Sequence, residues 1–134
     1  MTCSSLGSAQ PSVQLGEIYL EKNDFERAAE VLSQAVRVEP GSAIAYYALG
    51  RARYRLSEYA EAELAFTRAA LLDKDFEGPE LMLLHVYVRQ GKLSTALSRI
   101  DALLQKNPNP SLEKFRSEIV AALAKSKQGA GKQK

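Results

Sequence analysis

The sequence predicts an all-α fold built from stacked helical hairpins, and three observations lead to this prediction. Apolar residues recur every three or four positions within each segment, as on one face of an amphipathic helix. Small and bulky apolar residues also recur with a period of 34 residues. The breaks between segments fall at the same phase of that period. Together these features indicate pairs of helices that bury their apolar faces against neighbouring pairs.

The 34-residue period is carried by positions that coincide when the sequence is shifted by one repeat. Three such sets are Ala28, Ala62 and Ala96; Leu15, Leu49 and Leu83; and Leu32, Phe66 and Ile100. The breaks that share one phase are Asn23-Asp24, Ser57-Glu58 and Gly91-Lys92. Each break therefore separates the first helix of a repeat from the second.

Six helices follow from these breaks, two in each repeat. They are expected near 11–22, 25–38, 43–56, 59–72, 79–90 and 93–106. Pro108 and Pro110 are expected to end the sixth helix, because proline does not continue a helix. Ser111 is then expected to cap a seventh helix near 112–125, with one apolar stripe and a charged outer face, as the end of a repeat array requires.

Glycines are expected where the two helices of a hairpin cross. Gly16 and Gly50 lie one period apart and would let the second helix approach closely. The repeated alanines, such as Ala62, are expected to face these glycines across the crossing. Added volume at such a position typically costs ~1–3 kcal/mol.

The recurring residues resemble the tetratricopeptide repeat (TPR), whose pattern is an aromatic, then Leu-Gly, Tyr, Ala, a bulky apolar residue and Pro. The first repeat matches at Leu15, Gly16, Tyr19, Ala28, Leu32, Ala35 and Pro40. The second matches at Tyr46, Leu49, Gly50, Ala62, Phe66 and Ala69. The third matches at Leu83, Tyr87, Ala96, Ile100 and Pro108. Departures from the pattern are Ser12, Arg53, Lys74, Glu80 and Leu84.

The resemblance implies a TPR-type α-α superhelix, a right-handed solenoid of helical hairpins with seven helices. The expected segments are a flexible N-terminus over 1–8, repeats over 9–42, 43–76 and 77–110, a capping helix over 111–126, and a disordered basic tail over 127–134. The formal charge runs from −3 over the first 42 residues to +4 over the last 24. This gradient could orient a bound partner.

The composition argues against several kinds of site. The 134 residues carry a net charge of +2, too small to indicate nucleic-acid or membrane targeting. One cysteine, Cys3, and one histidine, His85, cannot form a disulfide framework or a metal cluster within the chain. We therefore expect no metal or other cofactor, and Cys3 is expected to be an inert thiol.

No catalytic machinery is predicted, so the chain is not expected to be an enzyme. A Gly-rich phosphate loop, paired catalytic carboxylates and a nucleophile beside His85 are all missing from the sequence. No apolar run reaches the length of a membrane-spanning helix, and the first ten residues lack the features of a signal peptide. A cytoplasmic location is the resulting expectation, although a fragment of a secreted or anchored protein would show the same pattern.

The resemblance also implies a concave groove lined by the first helix of each repeat. On such a helix Tyr47, Arg51, Tyr54 and Arg55 share an arc beside the packing stripe. Shifting this arc by one period in each direction gives the full set of predicted partner-binding residues: Glu17, Glu21, Tyr47, Arg51, Tyr54, Arg55, His85 and Arg89. Arg53 lies off this arc and is expected to lay its stem over apolar neighbours.

The expected function is a scaffold for protein–protein interaction, in which the groove binds a peptide or helical segment of a partner with acidic groups. The residues of the arc could instead be solvated side chains of a helix face. The lysines and asparagines with which some TPR proteins clamp acidic chaperone C-termini are missing from the arc. The alternative function is structural: a solenoid fragment that self-associates, or stacks within a longer chain, through its exposed first helix.

Overall fold

The computed structural model describes residues 10–132, with side-chain environments described for residues 12–127. Within that range the chain forms seven α-helices and no strand, so the all-α prediction is confirmed. They are α1 (Gln10–Glu21), α2 (Phe25–Val38), α3 (Ala43–Arg55), α4 (Tyr59–Leu72), α5 (Gly78–Arg89), α6 (Leu93–Lys106) and α7 (Pro110–Lys132). Helices α2, α4 and α6 begin and end 34 residues apart, which confirms the period.

The helices divide into two compact units, one up to Leu83 and the other from Leu84, and each is described by itself. In the first unit α1 packs on α2, α2 on α3, and α3 on α4. The largest cluster of buried side chains there draws on α1, α2 and α3. It consists of Leu20, Ala28, Ala29, Leu32, Ala48 and Ala52.

The turn inside each repeat has the same backbone form. Asn23, Ser57 and Gly91 all have positive φ, at 62°, 63° and 79°. This left-handed conformation ends the first helix and turns the chain into the second. The predicted breaks are therefore confirmed as turns.

The hairpin crossings differ in one detail from the sequence-based expectation. The repeated alanines are fully buried, but the side chains that face the glycines are larger ones. A Cβ at Gly16 would lie 2.5 Å from Leu32 Cγ, and one at Gly50 would lie 2.7 Å from Phe66 Cδ1. Leu32 and Phe66 sit one turn beyond the alanines on the same face, so they reach the crossing. The expectation that Ala62 faces the glycine is wrong.

In the second unit, α6 and α7 pack together around buried apolar residues. Ile100 and Ile119 are almost fully buried, and Arg116 on α7 forms an ion pair with Asp101 on α6. Tyr87 on α5 contacts the guanidinium of Arg99, which lies 5.7 Å from its ring centroid. These contacts join all three helices of the unit.

Helix α7 begins earlier and runs further than predicted. Pro110 is its first residue, a position where the missing N–H is not needed. The Asn109 side chain accepts a hydrogen bond of 2.8 Å from the Ser111 N–H, so Asn109 takes the capping role predicted for Ser111. The helix continues to Lys132 through alanines, lysines and glutamines, which favour helix, where a disordered tail over 127–134 was expected. The predicted segment 1–8, Cys3 and residues 133–134 lie outside the described residues.

No helix in the described range is both long enough and apolar enough to cross a membrane.

Candidate peptide-binding groove

Three of the predicted groove residues meet at one shallow cleft in the first unit. Arg51, Tyr54 and Arg55 lie on the last two turns of α3, three and four residues apart, and so share a face of the helix. The cleft has a volume of about 220 Å³. The residues that line it, named here the arginine cleft, are Leu20, Phe25, Arg51, Tyr54, Arg55 and Met82.

Arg55 lies over an aromatic ring at the rim of this cleft. Its guanidinium carbon is 4.6 Å from the centroid of Phe25, the first residue of α2, which gives a favourable cation–π contact. The turn through Asn23 places Phe25 beside the end of α1. Arg55 forms no ion pair with any residue that the structure describes. Its hydrogen-bond donors are therefore available to a ligand.

Arg51 is held by its own chain at two points. Its Nη1 is 3.0 Å from Glu17 Oε1, with both side chains about 40% exposed, and its guanidinium lies 5.7 Å from the Tyr47 ring centroid. Residues 17 and 51 are one period apart, so the stacking of α1 and α3 brings equivalent positions together. Because exposed pairs of this kind contribute little to stability, a ligand carboxylate can compete with Glu17 for Arg51.

The two predicted tyrosines serve partly as packing residues. Tyr47 is half-buried, and its ring meets Phe76 edge-on at 4.9 Å and Phe66 at 5.8 Å. The expectation that it lies off the packing stripe is therefore wrong. Tyr54 packs edge-on against Tyr59 at 5.6 Å across the turn that follows α3. Tyr54 keeps part of its ring on the wall of the arginine cleft.

The remaining predicted residues lie outside this cleft. Glu21 is exposed at the end of α1. His85 and Arg89 are exposed on α5 and belong to the second unit. Their sharing a surface with Arg51 and Arg55 stays a prediction.

His85 has a defined partner in its own unit. Its ring stacks on Phe115 of α7, with centroids 4.7 Å apart and an angle of 21° between planes. Covering one face of the ring by burial lowers the pKa of His85 below its ordinary 6.5, and the nearby Glu118 carboxylate partly offsets this. The ring is therefore a largely neutral, stacked group at neutral pH.

Arg53 points away from the arginine cleft. Its Nη1 donates a 2.7 Å hydrogen bond to Glu58, and its Nη2 donates a 3.3 Å hydrogen bond to Ser33 on α2. It thus joins α2, α3 and the start of α4, and these contacts place it within its own chain.

Two residues of the arginine cleft, Phe25 and Met82, were absent from the predicted groove set. A signal for Phe25 exists in the period: Leu20 and Phe25 stand one repeat before Tyr54 and Tyr59, a pair that meets across the equivalent turn. Met82 lies on α5, and nothing in the arc identifies it.

The tetratricopeptide repeat family model matches residues 13–78, which hold the first two repeats and the arginine residues of the cleft. The chain is a tetratricopeptide-repeat protein. The third repeat lies beyond this match and is supported by the helices α5 and α6 at the same period.

Among curated relatives of this TPR chain is the cilia- and flagella-associated protein 70 of Homo sapiens. It is 41% identical over 61 residues, which is 46% of this chain and 5% of that protein. The chain thus spans a small part of the length of this relative.

Solved structures show the same TPR fold. The first TPR domain of Spaghetti (RPAP3), bound to the HSP90 peptide SRMEEVD, has a TM-score of 0.79 and 19% identity over 87% of this chain and 94% of that one. The type III secretion chaperone SycD of Yersinia enterocolitica, in complex with a peptide of the translocator YopD, has a TM-score of 0.71 and 16% identity over 90% of this chain and 93% of that one.

Proposed function

We propose that this TPR protein is a binding module that holds a short acidic segment of a partner protein at the arginine cleft. Glu17, Glu21 and Tyr47 flank the cleft on α1 and α3. His85 and Arg89 would extend the groove along α5. No catalytic step is assigned to any of these residues, and no cofactor is needed for this function.

The observation that supports the proposal most strongly is the placement of Arg55. Its guanidinium is positioned by the Phe25 ring while its donors remain unused by carboxylates of the described residues. A fork of N–H donors held in this way suits a carboxylate, which it can bind through two parallel hydrogen bonds. Arg51, four residues earlier, can supply a second fork when Glu17 releases it.

The walls of the cleft limit what the ligand carries beside its carboxylates. Leu20, Phe25 and Met82 offer apolar surface, and Tyr54 offers an aromatic edge. A volume of about 220 Å³ suits one medium-sized apolar side chain. The ligand is therefore an extended segment with an apolar residue next to Asp or Glu.

Two structures of the same fold support a peptide ligand. The domain of Spaghetti holds SRMEEVD, which places a methionine beside two glutamates. SycD holds a peptide of YopD. Both likenesses concern the fold, so the ligand of this chain is proposed from its own cleft.

The proposal is tested by selecting a random peptide-display library on the immobilised protein and then measuring the affinity of an enriched peptide by fluorescence anisotropy. We expect enriched peptides to pair Asp or Glu with an apolar residue. Arg55→Ala should weaken binding by roughly tenfold or more, because a hydrogen bond to a charged group contributes about 1.5–3 kcal/mol.

Arg37→Ala is the matched control, since Arg37 is an exposed arginine of α2 outside the arginine cleft. It should leave the affinity unchanged. Enrichment of peptides without acidic residues, or equal losses in the two variants, would contradict the proposal.

A second candidate function is structural. Leu15 and Ile18 on α1 are 42% and 45% exposed, on the helix that begins the array. In the second repeat, the position equivalent to Leu15 is Leu49, which is partly buried. Stacking of α1 on another helical array would cover this surface. A double variant, Leu15→Ser with Ile18→Ser, should abolish such stacking without affecting peptide binding.

A further inference from the structure

The outer face of α4 carries the most exposed large apolar side chains of the first unit. Leu64 is 72% exposed and Leu71 is 63% exposed. They are seven residues apart, so they lie two helical turns apart on the same side of α4. The opposite side of α4 is buried through Ala62, Ala65, Phe66 and Ala69. This outer face is therefore turned away from the core that α4 shares with α3.

The residues of this face have the spacing of a coiled-coil seam. Ala60, Leu64, Thr67 and Leu71 follow one another at intervals of four, three and four residues, and all four are exposed. That spacing is the one by which two helices pack side chains into each other's gaps. We name these four residues the α4 seam.

The α4 seam has no counterpart in the other two repeats. One period earlier, the same positions of α2 are Glu26, Glu30, Ser33 and Arg37. One period later, the same positions of α6 are Ser94, Ser98, Asp101 and Gln105. The TPR scaffold itself accepts polar residues here, so the leucines of α4 are not required by the fold.

Two opposite charges lie along one edge of the α4 seam. Glu61 and Arg68 are exposed, seven residues apart, and neither forms an ion pair within the part of the chain that the structure describes. On a seam of this spacing both occupy the flanking position from which helices form interhelical salt bridges. An antiparallel copy of α4 would bring each glutamate opposite an arginine.

We propose that the α4 seam is the docking surface for a second copy of this chain, with the two α4 helices packed antiparallel about a twofold axis. In this register Leu64 packs against Thr67 of the other copy, and Leu71 packs against Ala60. The small Ala60 leaves room for Leu71. Glu61 and Arg68 then form two symmetry-related ion pairs. A twofold interface must match itself in this way, because each surface meets its own copy.

An adjoining groove adds apolar area to this surface. Leu64 forms one wall of a groove of about 370 Å³, with Tyr46 and Leu49 among its other lining residues. Even so, one pair of short helices buries less than the roughly 1,200–2,000 Å² of a stable interface. The dimer is therefore weak, and its population depends on protein concentration.

The test follows the molecular mass by sedimentation between about 10 μM and about 1 mM, a range that covers weak affinities. The wild type should shift from one chain towards two. The double variant Leu64→Ser with Leu71→Gln places the residues of the third repeat at these positions and should remain monomeric. Circular dichroism melts should show that its fold is unchanged, since both leucines are exposed.

The charges provide a more specific test. Glu61→Arg alone sets two arginines against each other at each ion pair, and Arg68→Glu alone sets two glutamates, so each single variant should remain monomeric. An equimolar mixture of the two restores both pairs and should form heterodimers. Ile18→Ser, on the exposed face of α1, is the control and should dimerise like the wild type.

A wild type that stays monomeric up to about 1 mM would overturn the proposal and leave the α4 seam to a helix of another protein. Loss of the dimer in Ile18→Ser would overturn it in favour of stacking through α1. Failure of the mixed charge variants to associate would also overturn it, because the antiparallel register requires that rescue.

Discussion

Three arginines at alternate positions of α3 show how one short segment serves two sides of the molecule. Each residue turns the helix by about 100°, so Arg51 and Arg55 share a face while Arg53 lies nearly opposite. Arg53 binds Glu58 and Ser33 and joins helices, whereas Arg55 lies at the arginine cleft. The separation of these roles could be predicted from the sequence. The Phe25 ring under Arg55 could not, because it depends on the turn between α1 and α2.

Gly50 is predicted to be a position where a single methyl group destabilises the fold. A Cβ there would lie 2.7 Å from Phe66, a fully buried ring that has no free space into which to move. The strain should exceed the gain in helix propensity, so Gly50→Ala should lower the free energy of unfolding by about 1 kcal/mol net. Urea denaturation of the variant and the wild type measures this difference.

Gly41→Ala is the control for this prediction. Gly41 lies in the loop between α2 and α3, and a Cβ there would have no atom within 4 Å. Its stability should stay within about 0.5 kcal/mol of the wild type. Equal stability of both variants would show that the α3–α4 crossing is looser than described.

At the scale of the elements, the turns inside the repeats could be predicted and the start of α7 could not. Asn23, Ser57 and Gly91 stand at one phase of the period, so three weak signals support one another. The start of α7 occurs once, and two prolines precede it. Pro110 was interpreted as the end of a helix, but its fixed φ suits the first residue of the next helix equally well.

The cap of α7 gives a prediction at this scale. Asn109→Ala removes the acceptor for the Ser111 N–H and should cost about 1 kcal/mol of unfolding free energy. Ser111→Ala, at the cap position that the sequence suggested, should cost much less because Pro110 and Ser111 are already helical. Thermal melts of the two variants distinguish these roles. A larger loss in Ser111→Ala would restore Ser111 as the cap.

At the scale of the whole molecule, the 34-residue period determined most of what could be predicted. It fixes which helices pair and which positions coincide, as the contact between Glu17 and Arg51 shows. It does not determine how deeply a given side chain is buried. Tyr47 packs against Phe76, a residue of the loop before α5, and the repeat pattern carries no information about that contact. The arginine cleft was therefore predicted in part, through Arg51, Tyr54 and Arg55.

The central claim, that the arginine cleft binds an acidic segment, is tested most directly by a chemical-shift map. An acidic peptide from the display selection is titrated into the isotope-labelled protein. The largest shifts should occur at Phe25, Tyr54 and Arg55, and they should weaken as salt is raised, because exposed charges are screened over ~8–10 Å. Shifts concentrated on the outer faces of α2 and α4, with none at these three residues, would contradict the claim.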